Sequence, residues 1–177
     1  MSETSIIIGN VRFSYANVFT PRAIEAGSEP KFSVSLIIPK SDTTTIKKIE
    51  RAIKAALEAG KASKFGGKIP ANYKNPLRDG DKERPDSEEY ADSMFINASS
   101  NRKPGLVDRD REEIIASDEF YSGCYGRADI NFYAFAVSGS KGIAAGLNNL
   151  QKIADGEALG GTARSAAEAF GDDDELM

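Results

Sequence analysis

The sequence predicts a mainly β protein with one or two helices, organised as a small barrel with an elaborated loop and an acidic tail. Three observations predict it. From Arg127 to Val137 the chain alternates with a period of two: Ala128, Ile130, Phe132, Ala134 and Ala136 are apolar, while Arg127, Asp129, Asn131 and Tyr133 are polar or amphipathic. A strand turns alternate side chains to opposite faces, so this is a long strand with one face on a core. Ser138-Gly139-Ser140 then turns the chain, and residues 141–153 supply a second extended run. In the first strand, residues 5–19, Val11, Phe13 and Tyr15 share one parity, but Ile6 and Ile8 share the other. A bulge or sharp bend near Gly9 would switch the faces, a feature common in the first strand of small barrels. Finally, a long stretch of helical periodicity occurs at residues 42–59, where Ile46, Ile49, Ile53, Ala56 and Leu57 recur on one face.

The elements follow in order. Thr20-Pro21-Arg22 opens a loop that Gly27-Ser-Glu-Pro30 closes. The strand at 31–38 points Phe32, Val34, Leu36 and Ile38 inward, and Pro39 ends it. Ser41 or Asp42 caps the helix, whose other face carries Lys47, Lys48, Arg51 and Lys54, and Gly60 is its expected stop. Residues 61–92 lose regular periodicity, which marks a partly mobile insertion between barrel strands. A short strand at 94–99, a turn at 101–105, an extended piece at 106–107 and a charged bend at 108–113 lead into the hairpin. Tyr133 and Phe135 fall on its wet parity, so another element or a ligand with flat apolar faces must cover those rings.

Composition removes much chemistry. The chain has 177 residues, 40% hydrophobic and 28% charged, as expected of one soluble domain with a tail. No apolar run approaches the ~20 residues that span a bilayer, and the N-terminus lacks the features of a signal peptide. With no histidine and the single Cys124, an ordinary zinc site, a histidine general base and an internal disulfide are excluded. Neither a catalytic residue nor a cofactor is expected. The net charge is −4, but five acids and no base follow Arg164, so residues 1–164 carry +1. The acidic balance belongs to the tail, and a nucleic-acid partner remains compatible with the body.

Several stretches have two readings. Between Lys61 and Arg78, lysines are interleaved with Phe65 and Tyr73. This suits a single-strand surface, where cations meet phosphates and rings stack bases; it equally suits a solvated loop whose rings anchor it to the core. Tyr121, Tyr125, Arg127, Tyr133 and Phe135 are either core and cross-strand residues or a binding face. Gly123 and Gly126 leave room there for a ligand backbone. Asp108, Asp110, Glu112, Glu113 and Asp129 could be imagined as a two-metal cluster, but Arg109 and Arg111 interrupt it, and a solvated bend is the better reading. In the tail, Asp172, Asp173, Asp174 and Glu175 stand beside Phe170, Leu176 and Met177. Such a segment suits a docking motif, and it can also mimic nucleic acid and occupy a basic groove.

The segments 12–19, 32–40, 123–135 and 142–153, with the Asp155-Gly-Glu-Ala-Leu-Gly160 that follows, resemble the single-stranded DNA-binding proteins of tailed bacteriophages. The resemblance covers most of residues 6–161. It implies an OB-fold, a partly open five-stranded barrel over residues 1–161 with the 61–92 insertion, and a flexible acidic tail at 162–177. It further implies a non-enzymatic role in phage replication, recombination or repair, in the cytoplasm of an infected bacterial host. The implied partners are single-stranded DNA and, through the tail, phage or host replication and recombination proteins; a homo-oligomer is compatible with it, and a membrane is not involved. It transfers no short catalytic signature. On chemistry, the expected phosphate contacts are Arg12, Arg22, Lys31, Lys64, Lys74, Arg102 and Arg127, and the expected stacking rings are Tyr15, Tyr73, Tyr121 and Tyr125.

Overall fold

The computed structural model describes residues 3–23 and 27–159. The docking residues expected in the tail, Phe170, Asp172, Asp173, Asp174, Glu175, Leu176 and Met177, lie outside them. In chain order the elements are strands β1 (Ser5–Arg22) and β2 (Lys31–Pro39), helix α1 (Thr43–Ser63), strand β3 (Arg78–Asp79) and helix α2 (Gly80–Glu83). A 3-10 turn (Glu88–Tyr90) follows, then β4 (Ser93–Ser100), β5 (Gly105–Val107), β6 (Tyr125–Val137) and β7 (Ser140–Ala154). The sheet runs β3-β4-β2-β1-β6-β7-β5, and a parallel bridge between Ala98/Ser99 and Ala145/Gly146 joins β4 back to β7. That bridge closes β1, β2, β4, β7 and β6 into a five-stranded barrel of the OB type, in which the first strand pairs with both the second and the fourth.

Two bulges shape β1. The first, between Ile8 and Val11, puts Asn10 at φ +56° and lets Ile8 and Val11 both face the core, as the parity switch requires. The second lies between Ser14 and Asn17, with Tyr15 at φ +47°. It turns Tyr15 outward, although its parity with Val11 and Phe13 points in. The β6–β7 hairpin pairs from Tyr125↔Ala154 to Val137↔Ser140. Its two-residue turn holds Ser138 and Gly139 both at positive φ, which matches the right-handed twist of the strands. Ala128, Ile130 and Phe132 are buried as expected, but Ala136 is exposed because the tip of the hairpin projects past the core.

Helix α1 plugs one end of the barrel, chiefly against β6. Asp42 caps it, accepting from the Thr45 backbone N–H at 3.2 Å and from the Thr45 hydroxyl at 2.7 Å. Ile49, Ala52, Ile53, Ala56 and Leu57 form its buried face. The helix does not stop at Gly60; it continues to Ser63. Gly60 is needed for contact, not for termination, because a Cβ there would lie 2.2 Å from that of Ala134.

The 61–92 insertion carries more regular structure than its composition suggests. Phe65 is buried in the barrel core, with Ile69, Tyr73 and Leu77 packed beside it. The Lys74 backbone pairs with the hairpin, donating to Lys141 O at 2.9 Å and accepting from Ile143 N at 3.0 Å. Residues 78–92 then fold back over the outside of β2 and β4 as a flap. There Tyr90 and Phe95 meet edge to face, at 5.1 Å, and enclose Ile37 in a second small core. The Tyr90 hydroxyl donates to Ser35 Oγ at 2.9 Å. Two ion pairs latch the flap to the end of β2: Lys40 Nζ lies 3.0 Å from Asp79 and 2.6 Å from Asp81. Opposite charges along residues 78–83 are thus partly matched in space.

Candidate nucleic-acid interface

The part of β2 and β4 that the flap leaves uncovered is the floor of a trough. Along these strands the outward positions left open are Ser33, Asn97 and Ser99, with Ser33 paired to Ser99, while Ser35, the partner of Asn97, is buried beneath Tyr90 of the flap. Small polar side chains keep this face low. Three adjoining hollows lie along it, of about 220, 340 and 790 Å³. The first shares Ser33 with the second, and the second shares Asn97 and Ser99 with the third. The trough therefore crosses the sheet from Arg22 and Asn17 of β1, past Tyr15 and Arg84, to Lys74, Lys82 and Phe135. It lies between the loop joining the first two barrel strands and the hairpin of the last two, the face on which OB-folds take oligonucleotides.

Of the residues expected from sequence, Tyr15, Arg22 and Lys74 line this trough. Lys31 is the register partner of Arg22, at the same end. Arg102 follows β4 at that end as well, since Ser100 pairs with Phe32; its backbone N–H donates to Ser100 Oγ at 3.0 Å. Tyr15 is 57% exposed, more than any other ring among the described residues.

Arg12, Tyr121 and Tyr125 form a different assembly, a clasp around residues 155–157. Arg12 donates to Gly123 O at 3.1 Å and Glu157 O at 2.8 Å, with its guanidinium 5.3 Å from the Tyr125 ring centre. The Tyr121 hydroxyl contacts Gly156 O at 2.9 Å, Asp155 Oδ1 at 3.1 Å and the Gly156 N–H at 3.0 Å. The Lys152 ammonium and this hydroxyl hold the Asp155 carboxyl below its ordinary value. The space at Gly123 and Gly126 is filled by the chain's own backbone: a Cβ would lie 2.1 Å from Glu157 O and 1.8 Å from Gln151 O, respectively. Close approach is real, but it is intramolecular.

Three expected residues stand apart. Arg127 lies on the outer face of β6, 3.5 Å from Gln151 Oε1, beside a shallow hollow lined by Ile7 and Val107. Lys64 is the exposed C-cap of α1. Tyr73 is half-buried against the core, and with the buried Phe65 it anchors the loop, as the plainer reading of that stretch requires.

Sequence reasoning missed Arg84, Lys82, Asn97 and Ser33 as trough residues, and offered Phe135 only as one ring of a candidate binding face. Phe135 did carry a signal in its wet parity; Arg84 lay in a charge run with no period to place it. No group of three or more Cys, Asp or Glu among the described residues is arranged to hold a metal ion. Asp108 instead organises its own bend, accepting from the N–H groups of Asp110 at 2.9 Å and Glu112 at 3.0 Å. Cys124 is buried, and burial pushes its thiol pKa up.

The family model described as "Enterobacter phage Enc34, ssDNA-binding protein" matches residues 4–177. Protein p50 of Acyrthosiphon pisum secondary endosymbiont phage 1 is 33% identical, over 94% of this chain and 92% of its own length. The structure of the single-stranded DNA-binding protein from bacteriophage Enc34 in complex with ssDNA superimposes with a TM-score of 0.80 at 30% identity, covering 90% of this chain and 91% of that one. A C-terminal truncation of the Enc34 protein gives 0.76 at 29% identity, covering 89% and 90%. The single-stranded DNA-binding protein gp2.5 of bacteriophage T7 shares the fold, with a TM-score of 0.53 at 12% identity over 95% of this chain and 94% of that one. The barrel with its open β2–β4 face and the match along almost the whole sequence lead to one assignment: the chain belongs to the family of the Enterobacter phage Enc34 ssDNA-binding protein.

Proposed function

We propose that this protein binds single-stranded DNA with little regard to sequence and coats it during phage DNA replication, recombination or repair. The observation that carries this reading is the trough over β2 and β4, low along its floor, where Ser33, Asn97 and Ser99 lie, and lined by Arg22, Lys74, Arg78, Lys82 and Arg84 against two carboxylates, Asp79 and Glu83. Arg22, Lys31, Lys74, Lys82 and Arg102 meet phosphates, while Tyr15 and Phe135 offer rings to bases. Such contacts read charge and π-faces, which every nucleotide has. Family membership supports the same reading. Residues 1–161 are the binding domain. Residues 162–177 act as an acidic tail that competes with DNA for the trough and recruits replication or recombination proteins. The site of action is the cytoplasm of the infected host.

Fluorescence anisotropy with labelled oligo(dT) and mixed-sequence strands, in EDTA and over a range of salt concentrations, tests this. The expected result is similar affinity for both strands, falling linearly with salt on logarithmic axes. A phage structural module would not bind. A metal-dependent nuclease would cleave the strand once magnesium replaced EDTA. Either outcome would overturn the reading.

A further inference from the structure

Within that trough, the geometry points to a slot for a single nucleobase, held between the Tyr15 ring and the Arg84 guanidinium over the Ser33–Asn97–Ser99 floor. This deepens the DNA-binding reading and rests on it.

Both flanking groups are presented in ways that a solvated surface does not require. Tyr15 would point inward if β1 were regular. The second bulge turns it out, at a left-handed φ of +47° that a bulky side chain seldom adopts. The conformation is held from several sides: Asn17 Nδ2 donates to Tyr15 O at 3.2 Å, and Ala16 N donates to Ser122 Oγ at 3.0 Å. Arg84 lines the same hollow of about 340 Å³ as Tyr15, and its Nη1 donates to Glu83 O at 3.4 Å. Its guanidinium rests 5.1 Å from the Phe95 ring centre and 5.9 Å from that of Tyr90. Among the described residues it forms no ion pair, unlike Arg78, which is bound to Glu83. A planar cation already stacked on a ring, with no carboxylate partner, is prepared to stack on a second flat group. A base entering the hollow meets the Tyr15 ring and the Arg84 plane, and Asn97 lies beneath it with an amide able to donate or accept.

The flap sets the position of Arg84. Lys40, pairing with Asp79 and Asp81, fixes the start of α2, and the Arg84 N–H donates to Gly80 O at 2.8 Å, closing that helix. Asp81 also accepts from the Asp92 N–H at 3.0 Å, tying the two ends of the flap together. Asp81 is therefore a positioning residue for the slot, although its own charge repels DNA.

The test uses the full chain and two probes of equal length, oligo(dT) and an oligonucleotide with abasic sites throughout its central segment. Arg84→Lys keeps the charge and removes the planar surface; Tyr15→Asn removes the ring and suits the left-handed backbone. Each should weaken oligo(dT) binding at least ~5-fold, the lower end for loss of one stacked base. Tyr15→Phe, which keeps the ring, should lose less affinity than Tyr15→Asn. The abasic probe should bind all four proteins alike. Asp81→Asn should weaken oligo(dT) binding, whereas simple charge repulsion predicts that it tightens. Unchanged affinity in Arg84→Lys or Tyr15→Asn, equal losses on the abasic probe, or tightening in Asp81→Asn would overturn the slot. Failure of the wild-type chain to bind oligo(dT) at all would instead overturn the DNA-binding reading together with it.

Discussion

Gly60 of α1 and Ala134 of β6 touch with no space for one more carbon: a Cβ on Gly60 would stand 2.2 Å from the Cβ of Ala134. Helix and barrel are as close here as backbone allows. Gly60→Ala gains about 1 kcal/mol of helix propensity but must move the helix or the strand, and overpacking of this kind costs about 1–3 kcal/mol. The expected outcome is a net loss of stability in urea unfolding. Adding Ala134→Gly should recover part of it, giving a double variant more stable than the sum of the two single effects predicts.

The flap latch should give a defined pH window. Asp79 and Asp81 are held below the ordinary carboxyl value of 3.8, first by hydrogen bonds from Lys40, and Lys40 is raised above 10.5, first by Asp81 and then by Asp79. Depressed carboxyls stabilise above their unfolded value and lose this as pH falls through the folded one. A raised lysine stabilises below its unfolded value and loses this as pH rises through the folded one. Hydrogen-exchange protection of the Asp92 amide, referenced to the core amide of Leu36, should therefore stay constant between the two ordinary values. It should decline below the carboxyl range and above the lysine range. Lys40→Met should lower the protection and flatten the profile across that window.

Tyr121 should behave as a clasp and not as a stacking platform. Tyr121→Phe removes the hydroxyl that meets Asp155 and Gly156. A loss of about 0.5–1.5 kcal/mol is expected. Exchange at Gly156 should quicken, and Tyr121→Leu, which removes the ring as well, should leave oligonucleotide affinity the same. A marked loss of affinity in this variant would place Tyr121 among the DNA contacts.

Removing residues 165–177 shifts the formal charge from −4 to +1. A tethered acidic segment competes at high effective concentration, most strongly where salt screening is weak. The truncated protein should therefore bind oligo(dT) more tightly than the full chain at low salt, with the gap closing as salt rises. Neutralising only the five acids should reproduce the effect. Equal affinities at every salt concentration would remove the tail as a competitor.

What was legible in the sequence was local. The hairpin, the Asp42 cap and the face switch at Gly9 rest on periods and turn chemistry that neighbouring residues spell out. What was not legible depends on residues far apart in the chain. Arg84 has meaning only beside Phe95 and Tyr90, and Lys40 only beside Asp79 and Asp81. The glycines at 123 and 126 were read as room for a ligand backbone, and the chain's own backbone takes that room. Which backbone approaches them is a matter of tertiary structure, and it proves to be the segments around Gln151 and Glu157. Tyr15 shows the converse, since strand parity assigned it to the interior and a bulge reversed it.

The pairing of β1 with β6, Ser5 with Asn131 and Ile6 with Ile130, also fixes when this protein can fold. Chains are made from the N-terminus, so the first strand emerges long before its partner exists. Its Ile6, Ile8, Val11 and Phe13 can meet β2 and α1 early, but the β1–β6 ladder must wait until β6 has been synthesised, and the barrel cannot seal until β7 follows. A topology dominated by such distant pairings folds slowly, on the order of milliseconds to seconds. The interval between translation and closure is when the nascent chain is most exposed to chaperones, proteases and its own neighbours.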